Sequence, residues 1–135
     1  NFTKISRKKN IEDINDFIFG NQITFSSSMI SNLLLKERFN EDRNFIAVED
    51  YLFWMNLKLK DYKFFLIKDS LLTIKIDSLS MSLKNYGMNH MRTIRALMNV
   101  YRNNTSKISI LRLTFSIIDL FSKFMIKRII KLFKT

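Results

Sequence analysis

The order of apolar and polar positions along the chain predicts a mostly helical protein. The segment 10–21 carries apolar residues at helical spacing and ends at Gly20, which predicts a short amphipathic helix. "EDYLFWMNLKLKD" (49–61) is apolar around most of its circumference, so we expect a well-buried helix there. Two long helical patterns follow, at 79–104 and 107–135, with the polar break "NNTS" between them. The apolar residues of the first segment are Ile11, Ile14, Phe17 and Ile18.

Three short segments instead favour β-structure. "QITFSSSMI" (22–30) predicts a strand that runs into a turn. "YKFFLIKDSLLTIKID" predicts two strands, at 63–67 and 71–76, broken at "KDS". An isolated hairpin is marginally stable, so these strands need a larger sheet to join. Between them, 31–39 predicts one or two helical turns, and 40–48 predicts a loop.

Composition narrows the class of protein. The chain has 135 residues, 47% of them hydrophobic, which suffices for one folded domain with a core. It contains no proline and two glycines, as is typical of a helix-rich chain, and no cysteine, which excludes disulfides and thiolate metal sites. The first residue is Asn rather than Met, and we interpret the chain as a fragment. Residues 1–20 lack the continuous apolar core of a signal peptide.

Charge is concentrated at the C-terminal end. The formal net charge is +11, and residues 107–135 carry seven Lys or Arg and one acid, Asp119. Such a basic segment predicts an anionic partner.

Within 107–134 the polar positions form one stripe along the predicted helix, and Ile, Leu and Phe cover the rest. The charges exclude a bilayer span, because every window of about 18 residues contains them. Two interpretations stay open: contact with an anionic membrane surface, or packing on the domain with a solvated basic face. Nucleic-acid binding is disfavoured, since the aromatic residues lie on the apolar side. The predicted membrane-contacting residues are Arg112, Lys123, Lys127, Arg128, Lys131 and Lys134.

The adjacent acids Glu49 and Asp50 are the strongest local sign of chemistry. At a helix start, the free backbone N–H groups and the helix dipole favour a carboxylate, so a plain capping pair is one interpretation. A general base held at the rim of a pocket is the other. The pattern alone leaves both open. His90, the only histidine, has no partner pattern around it, and the sequence shows neither metal-ligand spacing nor a glycine-rich phosphate loop.

The order of motifs across about residues 10–82 resembles the C-terminal half of family 2 glycosyltransferases. Members show an Asn, a Ser-rich strand, a Phe-Asn-Glu loop, Glu-Asp heading an aromatic helix with Trp, a Lys-Phe-x-x-Ile strand, and a Leu-x-x-Tyr-Arg-x-His segment followed by serines. The matching residues are Asn21, Ser26, Ser27, Met29, Phe39, Asn40, Glu41, Glu49, Asp50, Trp54, Lys63, Phe64, Ile67, Leu72, Ser78 and Ser80.

This resemblance implies an α/β fold of the GT-A class and an inverting sugar transfer from a nucleotide-sugar donor. It implies that Asp50 removes the proton from the acceptor hydroxyl, that Glu49 binds the acceptor, and that Ser26, Ser27 and Ser28 border the same pocket on a strand. Lys75 stands where the family has an Arg that contacts the donor diphosphate. The resemblance also implies a divalent metal, Mg or Mn, whose ligands are not in this chain, because no Asp-x-Asp motif occurs here.

We therefore expect residues 1–82 to form the acceptor-side part of a glycosyltransferase-like domain, and 83–135 a helical extension with a basic amphipathic helix. The complete bacterial enzyme would use a nucleotide-sugar donor and a surface-polysaccharide or lipid-linked acceptor. It would work on the cytoplasmic face of the cell membrane, without nucleic acid. The chain alone, without the N-terminal half, would be inactive. The alternative is a non-catalytic, membrane-peripheral helical module that binds anions.

Overall fold

Three α-helices dominate the structure, which is a computed structural model. It describes residues 2–3, 11–67, 69, 74–75 and 86–132. Of residues 2–3, 74–75, 86, 127–128 and 130–132 only the backbone is described. The helices are α1 (Glu49–Leu59), α2 (Tyr86–Asn103) and α3 (Ile110–Leu132). Four single 3-10 turns precede or separate them, at Ile14–Asp16, Phe25–Ser27, Asn32–Leu34 and Arg43–Phe45.

The predicted α/β fold of the GT-A class is wrong for the part of the chain that the structure describes. The only strand pairing in the described residues joins β1 (Phe2–Thr3) to β2 (Ile74–Lys75). The two strands are antiparallel, with Phe2 opposite Lys75. Because each strand has only two residues, the pair provides no sheet face on which helices could pack. The described residues thus form a helical assembly rather than a sheet covered by helices.

The serine-rich segment shows why a predicted strand became a turn. Residues 22–30 contain the 3-10 turn Phe25–Ser27 instead of a strand. The hydroxyls of Ser27 and Ser28 donate to the carbonyls of Thr24 and Phe25, at 2.9 and 2.6 Å. Such local bonds offer the backbone an alternative to a β-ladder. The predicted strand at 63–67 is also absent, and 71–73 and 76 lie outside the described residues.

Helix α1 confirms the helix predicted at 49–61 and lies at the centre of the core. Its buried residues occupy most of its circumference, in line with the apolar pattern. The helix ends in a Schellman motif: Tyr62 N–H donates to the carbonyl of Leu57 and Asp61 N–H to that of Lys58. Asp61 accordingly adopts a left-handed backbone, with φ 63°. The buried side chains of α1 are Tyr51, Leu52, Phe53, Trp54, Met55 and Leu57.

The first apolar segment is buried as expected but does not continue as a helix. It makes one 3-10 turn, Ile14–Asp16, closed by a capping box on Asp13. Two hydroxyls from other elements bond to carbonyls at the end of this segment. Tyr51 Oη–H donates to Phe17 O, which also accepts from Gly20 N–H, and Ser116 Oγ–H donates to Ile18 O. Contacts with α1 and α3 therefore outweigh the helical periodicity of this segment. Its buried residues are Ile11, Ile14, Phe17 and Ile18.

Helices α2 and α3 confirm the two long C-terminal helices, although the predicted stretches 79–85 and 133–135 lie outside the described residues. The two helices approach closely at Gly87, where an added Cβ would lie 2.8 Å from the Phe124 ring. The core side of α2 consists of Ala96, Leu97 and Val100. Asn15 Oδ1 accepts from Ser109 N–H at 3.1 Å, which joins the start of α3 to the first segment.

Candidate functional site at the start of helix α1

Asp50, in the first turn of α1, is held by two donors from different parts of the chain. Its Oδ1 accepts from the N–H of Tyr51 at 2.7 Å, and its Oδ2 accepts from Asn21 Nδ2 at 2.9 Å. Asn21 is oriented in turn, since its Oδ1 accepts from Ile23 N–H at 3.0 Å. The backbone reaches α1 through Ala47, whose φ of 68° is a strained conformation for a residue with a side chain. The carboxylate therefore has a defined position.

The environment of Asp50 shifts its acidity. Burial raises the pKa of the Asp50 carboxyl above its usual value, and the adjacent Glu49 charge adds to this effect. The Tyr51 N–H and the Asn21 amide oppose it, because both bind the charged form, but the net direction is upward. A carboxylate with a raised pKa is a better proton acceptor at neutral pH.

Glu49 lies beside Asp50 and is half-buried. Its Oε2 is buried and has no hydrogen-bond partner in the described residues. An unpaired carboxylate oxygen at a helix start increases the negative charge around Asp50. The helix dipole and the free N–H groups of the first turn partly compensate that charge.

An aromatic cluster extends from the site along α1. Trp54 follows Asp50 by one helical turn, and the Phe25 ring lies with its centroid 6.0 Å from that of Trp54. Phe39 stacks 4.5 Å from Phe53 and lies 5.3 Å from Phe25. Phe25 and Phe39 are 45% and 38% exposed, so the cluster presents ring surface to solvent.

The structure therefore brings together segments that are remote in sequence. Asn21, Phe25, Phe39 and the first turns of α1 meet at one place, and Phe64 joins them with its centroid 6.2 Å from Trp54. The sequence predicts no site role for Asn21 or Phe25, although Asn21 is one of the residues that match the glycosyltransferase motifs. An Asn followed by an apolar segment is too common a pattern to indicate a carboxylate contact 29 positions away.

The predicted acceptor-binding serines are placed differently from the expectation. Ser26, Ser27 and Ser28 lie at a 3-10 turn, not on a strand, and none of them donates to Asp50. The hydroxyls of Ser27 and Ser28 donate to carbonyls of their own turn, and both Ser26 and Ser27 are exposed. The Asp50 contact comes from Asn21, at the start of the same segment.

The other predicted site residues are exposed on α3, are described only as backbone, or lie outside the described residues. Lys75 is described only as backbone in β2. Arg112 and Lys123 are exposed on α3, and Lys123 pairs with Asp119. Lys127, Arg128 and Lys131 are described only as backbone of α3, and Lys134 lies outside the described residues. The polar stripe of α3 is not uniformly solvated, because Ser116 within it is 2% exposed.

The described residues do not fit a divalent cation site. No group of three or more His, Asp or Glu side chains converges in them. His90 is half-buried within α2.

Comparisons with protein-family models, curated proteins and solved structures find no match for this chain. The resemblance to family 2 glycosyltransferases accordingly stays a prediction from the order of its motifs. Across the described ranges, no helix combines the length and the apolar character needed to cross a bilayer.

Proposed function

We propose that this chain supplies the acceptor-activating carboxylate of an enzyme that transfers a sugar from a nucleotide-sugar donor to a hydroxyl of a glycan or lipid-linked acceptor. Asp50 is the general base in this proposal. The observation that carries it is the Asp50 carboxylate: half-buried, raised in pKa, and held by the Asn21 amide and the Tyr51 N–H. A carboxylate that serves only as a helix cap needs no such remote orienting partner.

The exposed rings that pack on α1 one turn after Asp50 support an acceptor that carries both hydroxyls and apolar C–H faces. Phe25 and Phe39 present ring surface within a cluster that includes Trp54, one turn from Asp50. Binding sites for small molecules combine aromatic walls with a few oriented polar groups. A sugar ring fits that combination, since its C–H face packs on an aromatic ring while a hydroxyl reaches the carboxylate.

In the proposed step, an acceptor hydroxyl loses its proton to Asp50 as its oxygen attacks the anomeric carbon of the donor. The bond from that carbon to the diphosphate oxygen breaks, and the nucleoside diphosphate leaves with the bonding electron pair. Glu49 does not accept the proton in this scheme. Its neighbouring charge contributes to the raised pKa of Asp50.

Replacement of Asp50 in the complete enzyme tests the proposal. Asp50→Asn retains the shape of the side chain and removes its ability to accept a proton, so we expect transfer to fall by about 10²–10⁴-fold with donor binding unchanged. Asp13→Asn is the matched control, because Asp13 also accepts from a nearby backbone N–H, that of Asn15, but lies at the turn Ile14–Asp16. Transfer at the wild-type rate by Asp50→Asn would refute the assignment of the base.

A second observation favours a peripheral location on an anionic membrane surface. Helix α3 buries Leu113 and Ser116 on one side and leaves a row of large apolar residues exposed on the opposite side. The row spans about 27 Å at the helical rise of 1.5 Å per residue. Exposed Arg112 and Lys123 lie beside it. The row consists of Leu111, Phe115, Ile118, Met125, Ile126 and Ile129, and we call it the outer row of α3.

An apolar row with flanking cations suits the boundary between acyl chains and anionic head groups. Flotation with vesicles of phosphatidylglycerol and phosphatidylcholine, against phosphatidylcholine alone, tests this location. We expect binding to the anionic vesicles and its loss in Phe115→Ser/Ile118→Ser. Met29→Ser/Leu33→Ser is the control, because these residues are 90% and 78% exposed but lie outside α3. Equal binding by both double variants would exclude the outer row as the contact.

A further inference from the structure

A groove between α2 and the turn Arg43–Phe45 is lined by two arginines that take no part in the site at Asp50. The groove is open to solvent and has a volume of about 550 Å³, within the range of small-molecule sites. Arg95, Asn99 and Arg102 follow one another at spacings of four and three, so they share one face of α2. The two arginine backbones are about 10 Å apart along the helix axis, close enough for both long side chains to reach one ligand.

The arginines of this groove are not neutralised. Both are exposed, and neither forms an ion pair with an acid in the described parts of the chain. The nearest acid in the groove, Asp42, uses its Oδ1 to accept from the backbone N–H and the side-chain Nδ2 of Asn44, both at 2.9 Å. Asn44 stands between the two charges, since its Oδ1 meets Arg95 Nη1 at the long distance of 3.5 Å.

The remaining lining complements a polar ligand. Asn44, Asn99 and Asn103 supply amide donors and acceptors around the two guanidinium groups, and Phe45 and Met98 supply apolar surface. Arg102 lies in the last turn of α2, where a cation also stabilises the helix dipole. That role does not extend to Arg95, which lies two turns earlier. The fixed planar fork of Arg matches phosphate oxygens in a bidentate manner, which the ammonium of Lys cannot do.

We propose that the groove lined by Arg95, Asn99 and Arg102 binds the diphosphate group of a small ligand. Two guanidinium groups converge on the adjacent phosphates, and the asparagine amides contact the atoms next to them. The site is separate from Asp50 and does not depend on the sugar-transfer proposal. Diphosphates occur both in nucleotides and in lipid-linked carriers, and the experiment below separates these two sources.

Titration of the ¹⁵N-labelled chain with sodium pyrophosphate at physiological ionic strength tests the site by NMR. We expect saturable shifts of the side-chain amides of Asn44, Asn99 and Asn103. Arg95→Ala and Arg102→Ala should each weaken binding by at least about tenfold. Arg95→Lys should recover only part of the loss, because it keeps the charge without the fork.

The matched control is Arg112→Ala, which removes the same charge from exposed α3 and should leave the affinity unchanged. An equal loss in Arg112→Ala and Arg95→Ala would overturn the proposal, since it would show attraction by net charge alone. So would the absence of saturation. Parallel titrations with uridine diphosphate and geranyl diphosphate distinguish a nucleotide source from a lipid-linked one. Asp50→Asn should bind pyrophosphate as the wild type does, so failure here and failure of the base assignment are separable.

Discussion

Asn21 and Asp50 are 29 positions apart in the chain, yet the Asn21 side-chain amide donates a 2.9 Å hydrogen bond to the Asp50 carboxylate. The same amide accepts from Ile23 N–H through its oxygen, so its orientation is set by the backbone of its own segment. This pair joins the serine-rich segment to the start of α1. Together with the Tyr51 N–H, it orients the proposed base.

Asn21→Ala should raise the pKa of Asp50 further. The Asn21 amide binds the charged carboxylate and thereby lowers the pKa of Asp50. Without this amide, less opposes the rise in pKa that burial causes. We also expect stability to fall by about 1 kcal/mol, the typical net contribution of one hydrogen bond. Carboxyl ¹³C NMR titration measures the first effect and urea denaturation the second. Asn103→Ala, at the end of α2, should leave the Asp50 titration unchanged, and an unchanged or lowered value in Asn21→Ala would contradict the prediction.

The stability of Asp50→Asn relative to that of the wild type should increase as pH rises. Because the folded-state pKa of Asp50 is raised, its contribution to wild-type stability is fully present below the unfolded-state pKa and is lost as pH increases through the folded one. Asn at this position does not titrate and suffers no such loss. Urea denaturation at several values between about pH 3 and pH 6 measures the difference in unfolding free energy.

The control for that series is Ser116→Ala, whose difference from the wild type should be independent of pH because no titrating group changes. A constant difference between Asp50→Asn and the wild type over the whole range would show that the carboxyl pKa is not raised by folding.

Ser116→Ala should destabilise the chain by about 1–3 kcal/mol. The Ser116 hydroxyl donates to the carbonyl of Ile18 in a buried position, and its removal leaves that carbonyl without this donor. Ser122→Ala is the matched control on the same helix: its hydroxyl donates to Asp119 O, but it is exposed, so the change should stay within about 0.5 kcal/mol. If chemical denaturation showed the same loss of unfolding free energy in both variants, the hydrogen bond between α3 and the first segment would contribute nothing to stability.

Asp61→Gly should stabilise the chain by about 0.5–1 kcal/mol. Asp61 occupies the left-handed position that closes the Schellman motif of α1, with φ 63°, and Gly adopts that conformation without steric cost. The substitution removes the ion pair with Lys107, but Asp61 is 85% exposed there, so little is lost. Asp61→Ala loses the same ion pair but still has a side chain at a left-handed backbone position, so it should destabilise the chain. Thermal denaturation of the two variants in the opposite order would refute the role of the backbone.

The apolar pattern of the sequence predicted α1 and the two long helices, because in each of them this pattern extends over three or more helical turns. The segment 11–18 shows the limit of that signal. All four of its spaced apolar residues are buried, yet it forms one 3-10 turn rather than an α-helix, and its last two carbonyls accept from hydroxyls of α1 and α3. Periodicity predicted which side chains enter the core but not which backbone conformation carries them there.

The short β-rich segments were predicted least well, because a strand exists only where another strand pairs with it. Nothing within 22–30 specifies such a partner, and local serine bonds stabilise a turn there instead.

The sequence by itself determined that Glu49 and Asp50 lie in the first turn of a buried helix, since helical propensity and the apolar pattern act locally. Only the tertiary structure decided what surrounds them. Packing brought the Asn21 amide to the carboxylate, the Phe25 and Phe39 rings to the middle of α1, and Arg95 and Arg102 opposite the turn at 43–45. Contacts between positions this far apart depend on how whole elements pack together, and no local pattern in a single chain records that arrangement.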